Sequence, residues 1–311
     1  MIGHALSKIL LPEVSNLKII SLDNVETSHD IEYIKGDLTD LNFCLKVIKE
    51  VDYVFQIAGI KGSARVTKTR PATFFVPLLQ MNLNVFEAAR KSGCQEVIYT
   101  SSIGAYPSIK KLSEDNFDYG THPMDEYPGW AKRMGELQLK AYKEEFGTPD
   151  YVIVRPANVY GPRDNFDPEN AMVVGSLLGR ALSSADEVEV LGTGKSIRDF
   201  VFADDVANGI YLAGKNGGGE SFNLGSGAGV SIKELASIIQ KVTGKNLKFS
   251  NSVEPDYPVR ILDITKASNL LGWKPKTSLE QGIKITWNWL KENLKFSEMR
   301  HNYFSKDLKI N

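Results

Sequence analysis

The sequence predicts an α/β fold, a doubly wound parallel sheet with a smaller C-terminal α/β lobe, and three observations carry that expectation. The apolar, β-branched runs LKIISL (17–22), DYVFQIAG (52–59), VIYTSS (97–102) and YVIVRPANVYGP (151–162) do not alternate with polar residues, as strands buried on both faces require. Segments of helical period separate them, the longest at 72–92 and 128–146. Past residue 162 the strands shorten and glycine turns multiply, which marks a change of architecture.

The bulk properties agree. The chain has 311 residues, 42% hydrophobic and 24% charged, with a formal net charge of -1, so no broad field draws it to nucleic acid or an anionic membrane. Its two cysteines, Cys44 and Cys94, build no disulfide framework and no metal-ligand spacing, and they read as buried thiols of a reducing compartment. No apolar run approaches a membrane span, and MIGHALSKILLPE (1–13) lacks the marks of a signal peptide, so the cytoplasm is expected.

In order, the chain opens on helical spacing over 4–11, stopped by Pro12. The strand at 17–22 ends at Asp23, and YIKGDLTD (33–40) places Ile34 on a short strand with Asp37 and Leu38 in the loop after it. A helix at 43–48 precedes the strand that runs into Ala58 and Gly59. The long helix 72–92 leads to the strand ending at Ser102. The next helix starts with Pro128 as its first residue and Tyr127 at its cap, and carries Lys132, with Trp130, Met134, Leu137 and Ala141 on one stripe. After the strand at 151–162 come a helix over 170–182, a strand at 188–191, and a strand and helix over 198–213 with the cap at Asp204 or Asp205. A strand and glycine turn at 220–227 follow, then a helix at 231–242 opened by a Ser-x-x-Glu capping box and a last helix over 279–293. The expected division is a Rossmann-like dinucleotide-binding domain over 1–162, also receiving 198–226, a substrate lobe over 163–197 and 227–293, and a polar tail over 294–311.

Chemistry concentrates between residues 99 and 136. A strand end delivers the Ser102 hydroxyl, and the following helix presents Lys132; such a pair can converge on one sugar hydroxyl for proton transfer. A doubly wound nucleotide-binding sheet should open with a strand and a glycine-rich turn, and only the end of such a turn is expected here, with Gly3 as its last glycine; the first strand and two earlier glycines are missing from the pattern. The other cofactor candidates follow their strands. Asp23 stands where a carboxylate accepts ribose hydroxyls, favouring NAD over NADP, whose phosphate it would repel. Asp37 and Leu38 can meet the adenine, and Ala58 and Gly59 allow close backbone approach.

Together SSIGAYP (101–107), GWAKRMGELQ (129–138), RPANVYGP (155–162) and IRDFVFADDVANGI (197–210) resemble the extended short-chain dehydrogenases/reductases of the nucleotide-sugar epimerase/dehydratase family. YGPRDNFDPEN (160–170), LGTGKSIRDF (191–200), NLGSGAGVSIKELA (223–236) and LDITKASNLLGWKPKTSLEQGI (262–283) are most similar to its GDP-L-fucose synthase branch. The resemblance implies hydride transfer between NAD(P) and C4, or a neighbouring carbon, of a nucleotide-bound hexose, in a homodimer formed through the long helices. It implies a catalytic Ser–Tyr–Lys set, with Ser102 identified by its place four residues before Tyr106, and Lys132 holding the nicotinamide ribose.

The chain departs from that pattern at the tyrosine. The slot four residues before Lys132 holds Pro128; the nearest tyrosine, Tyr127, lies five before the lysine and serves only if the helix start is rebuilt. Ile103 and Gly104 replace the acidic pair of the dehydratases, and Gly104 and Met172 replace the Cys and His of the 3,5-epimerising enzymes. What remains is a 4-epimerase or 4-ketoreductase, or else an attenuated or inactive homologue that binds nucleotide or nucleotide sugar as a regulatory subunit. For the substrate, Asn158 is placed to bond a diphosphate or sugar, and Arg180, Arg198 and Arg260 are the expected diphosphate clamps.

Overall fold

The computed structural model describes residues 1–22, 31–109, 111–184, 186–250 and 259–295. The first part runs α1 (Ile2–Leu10), β1 (Lys18–Ser21), β2 (Glu32–Lys35), α2 (Leu41–Val47), β3 (Tyr53–Gln56), α3 (Ala64–Thr69), α4 (Pro71–Lys91), β4 (Glu96–Thr100), α5 (Glu126–Phe146) and β5 (Asp150–Pro156). The second continues β6 (Asn158–Tyr160), α6 (Val173–Ser183), β7 (Glu187–Val190), β8 (Ile197–Arg198), β9 (Phe200–Phe202), α7 (Ala203–Asn216), β10 (Ser221–Leu224), β11 (Val230–Ser231), α8 (Ile232–Thr243), β12 (Asn246–Phe249), α9 (Thr265–Leu271) and α10 (Leu279–Glu292).

The central sheet is parallel, in the order β10-β5-β4-β3, and β1 pairs in parallel with β2 beside it. Strand β4 shows why its sequence does not alternate. Val97 and Tyr99 point into a core shared with Phe86 of α4 and Leu139 of α5, while Ile98 points into the opposite core with Leu6 of α1 and Val206 of α7. Both faces are covered by helices, so both need apolar side chains. The second lobe has its own core, where Val188 and Val190 of β7 meet Leu178 of α6, Leu235 of α8 and Ile283 of α10.

Several local expectations shift. Helix α7 starts at Ala203 with Phe202 at its cap, so Asp204 and Asp205 lie in the first turn rather than capping it. There their charges favour the helix N-terminus, and Asp205 accepts a hydrogen bond from the Thr277 amide at 2.9 Å. Helix α6 begins at Val173, because Asn170 is held in a turn by Asp167. Helix α5 begins at Glu126, with Asp125 in the cap position, so Pro128 is its third residue. A proline is tolerated there because amides of the first turn have no intrahelical partner. Ser231 and Glu234 do form the capping box that opens α8. Both cysteines are buried, and burial pushes the Cys44 thiol up to about 12 and that of Cys94 up to about 11. Among the described residues no helix is long and apolar enough to cross a membrane.

Candidate active site

The site is built at the C-terminal end of β4. Ser101, the first residue past the strand, turns inward: its hydroxyl donates to Glu136 Oε1 at 2.5 Å. Arg155 grips the same carboxylate with two bonds, Nε to Oε1 at 3.0 Å and Nη2 to Oε2 at 2.7 Å, and Tyr119 donates to Oε2 at 2.7 Å. This network is buried and ties β4, β5 and α5 together; its satisfied donors and acceptors are what make a buried ion pair tolerable. Ser102, the next residue, faces the other way. It caps a short 3-10 turn, accepting from the Gly104 amide at 3.0 Å, and stays partly exposed with its own proton unassigned to any of those partners.

Lys132 reaches the same strand end from α5. Its Nζ donates to the Thr100 carbonyl at 2.7 Å and lies 5.0 Å from the Tyr99 ring centre. Burial pushes this lysine down to about 8, with Glu136 acting in the opposite direction. Gly59, after β3, faces the ammonium: a Cβ added there would stand 3.7 Å from Lys132 Nζ and 3.6 Å from Leu78. The β3 turn and the lysine therefore already lie close together. Arg133, the next residue, is fully buried and fastens the loop after the strand by donating to the carbonyls of Ala105, Tyr119 and Thr121.

Tyr127 is 39% exposed, packs edge-on against Phe75 of α4 at 5.8 Å, and makes no hydrogen bond to Ser102 or Lys132. Tyr106, the other tyrosine of the motif, is fully buried and donates to Asn223 at 2.9 Å; burial pushes its hydroxyl up to about 12. The structure thus brings Ser102 and Lys132 to one strand end and leaves Tyr127 on the α4 side of α5.

The other expected positions divide. Gly3 lies in the first turn of α1, and a Cβ there would meet nothing within 4 Å. Asp37 is exposed and bonds the Thr39 amide at 2.9 Å. Leu38 is turned into the core, with its carbonyl held by Cys44 and Asn84. Ala58 is partly buried just before Gly59. Asp23 lies outside the described residues. Asn158 donates to the Asp199 carbonyl at 2.8 Å, and Arg198 pairs with Arg260 as a β-bridge. Arg180 is engaged within the second lobe, donating to the Glu189 and Pro168 carbonyls.

Two carboxylates escaped the sequence reading. Asp199 is fully buried and gathers the Ser226 amide and hydroxyl and the Leu262 amide, which fixes the loops around Arg260. Asp125, at the start of α5, accepts from Arg260 Nη1 at 2.8 Å, and its other oxygen fills the space where a side chain at Gly104 would begin. The one signal available was spacing: Asp125 and Lys132 are seven residues apart, about 20° short of two full helical turns, hence on one face.

A family model described as the NAD dependent epimerase/dehydratase family matches residues 1–225. A probable GDP-L-fucose synthase 1 of Oryza sativa subsp. japonica is 36% identical over 253 residues, 78% of this chain and 76% of that protein. A UDP-glucose 4-epimerase of Mycolicibacterium smegmatis is 30% identical over 294 residues, 91% and 90% of the two chains. The crystal structure of a UDP-glucose 4-epimerase with UDP-glucose, from Thermotoga maritima, superimposes with a TM-score of 0.84 at 29% identity, covering 94% of this chain and 96% of that one.

Proposed function

The chain belongs to the NAD-dependent epimerase/dehydratase family, and from that premise we propose that it moves a hydride between NAD and C4 of a nucleotide-linked sugar, as a 4-epimerase or a 4-ketoreductase. It is an enzyme acting on nucleotide sugars with NAD as cofactor. The observation that carries the C4 reading is the meeting of Ser102 and Lys132 at the end of β4, opposite the bare backbone of Gly59.

NAD supplies the hydride acceptor when bound. Gly3 at the start of α1, Ala58 and Gly59 after β3, and Lys132 are the residues that would hold it. Of the pair after β2, Asp37 is the one free to face the adenine, because the Leu38 side chain belongs to the core. Asp23 completes the set on its sequence position alone. Ser102 donates to the sugar oxygen and orients it. The Lys132 ammonium bonds the ribose and favours negative charge developing on the sugar oxygen. Arg198 serves the diphosphate, with Asn158 beside it; Arg260, adjacent across their bridge, is engaged on Asp125, and Arg180 on two carbonyls, so both have the weaker claim. The lack of an acidic pair at Ile103 and Gly104 argues against water elimination.

The working unit is a homodimer in this reading. Helices α4 and α5 lie side by side and expose apolar residues, Val76 (46%) and Leu83 (48%) on one, Met134 (36%) and Leu137 (37%) on the other. The two buried thiols and the nucleotide-sugar chemistry fit the cytoplasm.

The test is incubation of the chain with NAD or NADH and UDP-, GDP- and dTDP-hexoses, following absorbance at 340 nm and product sugars by NMR. Interconversion of C4 epimers, or oxidation of NADH with a 4-keto sugar, supports the reading. Binding of nucleotide sugar without turnover favours the second reading, a regulatory binding subunit, for which the place of Tyr127 against Phe75 is the specific observation.

A further inference from the structure

Hydride transfer from a carbinol needs a base for the hydroxyl proton, and the face of α5 that meets the end of β4 carries one. That face is defined by contacts. Lys132 Nζ bonds the Thr100 carbonyl, and Glu136 bonds Ser101. A Cβ at Gly129 would stand 2.6 Å from the Gly104 carbonyl, so the helix and the strand-end turn touch backbone to backbone there. One turn before Gly129, Asp125 closes the row: its amide donates to the Gly104 carbonyl at 3.1 Å and its Oδ2 lies against the Gly104 Cα. Ser102 Oγ accepts from the amide of that same glycine at 3.0 Å. Asp125 and Ser102 therefore flank one residue, and the residue has no side chain to separate them. Tyr127 is on another face.

Arg260 fixes the carboxylate. Its Nη1 bonds Asp125 Oδ1 at 2.8 Å, with the arginine side chain only 11% exposed and the aspartate 39% exposed. The buried partner anchors; the aspartate is the more open of the two, with its second oxygen against Gly104.

We propose that Asp125 is the acid–base group of the reaction, in the role that a tyrosine hydroxyl would otherwise fill, with Arg260 as its positioning residue; this rests on the hydride-transfer reading above. In the oxidative direction the C4–H bond breaks and its electron pair goes to NAD+. The O–H bond breaks and its proton goes to Asp125 Oδ2, and the C4–O bond becomes double. In the reductive direction Asp125 returns the proton to the oxygen as hydride adds to C4. Ser102 holds the oxygen throughout.

The test compares wild type with D125N, D125E and Y127F on whichever nucleotide sugar turns over, and measures NADH and nucleotide-sugar dissociation constants by calorimetry. D125N is expected to lower kcat about 100-fold or more, the usual worth of a general base. KM and both dissociation constants should stay within about 3-fold, D125E should recover at least about 10-fold, and Y127F should stay within about 2-fold of wild type. A D125N kcat near wild type, a Y127F loss as large as that of D125N, or a D125N loss traced wholly to binding overturns the proposal while hydride transfer stands. A wild-type chain that binds but turns over no sugar overturns the hydride-transfer reading itself.

Discussion

The Lys132 ammonium donates a 2.7 Å hydrogen bond to the carbonyl of Thr100, the last residue of β4. The contact brings α5 and the strand end together, and it places a desolvated positive charge at the strand end that leads into Ser102. Its consequence is a pH limit. Burial holds the lysine down to about 8, so the ammonium is lost above that pH and turnover should fall with it. An unfolded lysine keeps its proton to about 10.4, so between about 8 and 10.4 the unfolded chain binds more protons and native stability gained from this residue rises with pH. K132M should lose about 100-fold or more in kcat and lack that rise. Rate profiles and denaturant unfolding at pH 7.5 and 9.5 check both.

The buried Glu136–Arg155 pair should dominate the stability of the strand end. The side chains are 0% and 3% exposed, and Ser101 and Tyr119 complete the carboxylate's bonds. E136A leaves a buried guanidinium without its partner and should cost about 3–5 kcal/mol. Chemical denaturation should show a lowered midpoint with unchanged slope; a loss under about 1 kcal/mol would contradict the account.

Much of this was legible from the chain. Apolar runs without alternation predicted strands covered on both faces, and β4 and β5 are so covered. The serine at the strand end and the lysine on the next helix were visible because both are fixed by local sequence. Asp125 was not, since what makes it matter is Gly104 leaving it room and Arg260, 135 residues away, holding it. The stripe Trp130, Met134, Leu137 and Ala141 was seen as a periodic face, but period alone does not say who covers it. Met134, Leu137 and Ala141 are exposed, so the chain itself does not.

Covering that stripe is the expected work of a second copy. The double variant M134E/L137E should run as a monomer by light scattering, with far-UV circular dichroism unchanged, and wild type should run as a dimer. Wild type at monomer mass at micromolar concentration would contradict the dimer.

At the opposite end of β4, Glu96 is partly buried beside Asp150, and burial, reinforced by that neighbour, raises its carboxyl to about 7. An unfolded glutamate titrates near 4.3, so the native state binds more protons between about 4.3 and 7 and stability falls as pH rises through that window. E96Q should remove the dependence and stabilise the protein at pH 8 by about 1 kcal/mol, after allowance for solvent screening of a half-exposed group. Melting temperatures of both proteins at pH 5 and 8 decide it.

The central claim is hydride transfer from C4 of a nucleotide sugar at the Ser102–Lys132 strand end. Its most direct test is a single-turnover reaction of the NAD-loaded chain with nucleotide hexose deuterated at C4, followed at 340 nm and by mass spectrometry of the recovered nucleotide. The account predicts a transient absorbance that forms more slowly with deuterium, label in the reduced nicotinamide, and loss of both in K132M. Binding of the sugar with no absorbance change and no label transfer would contradict it.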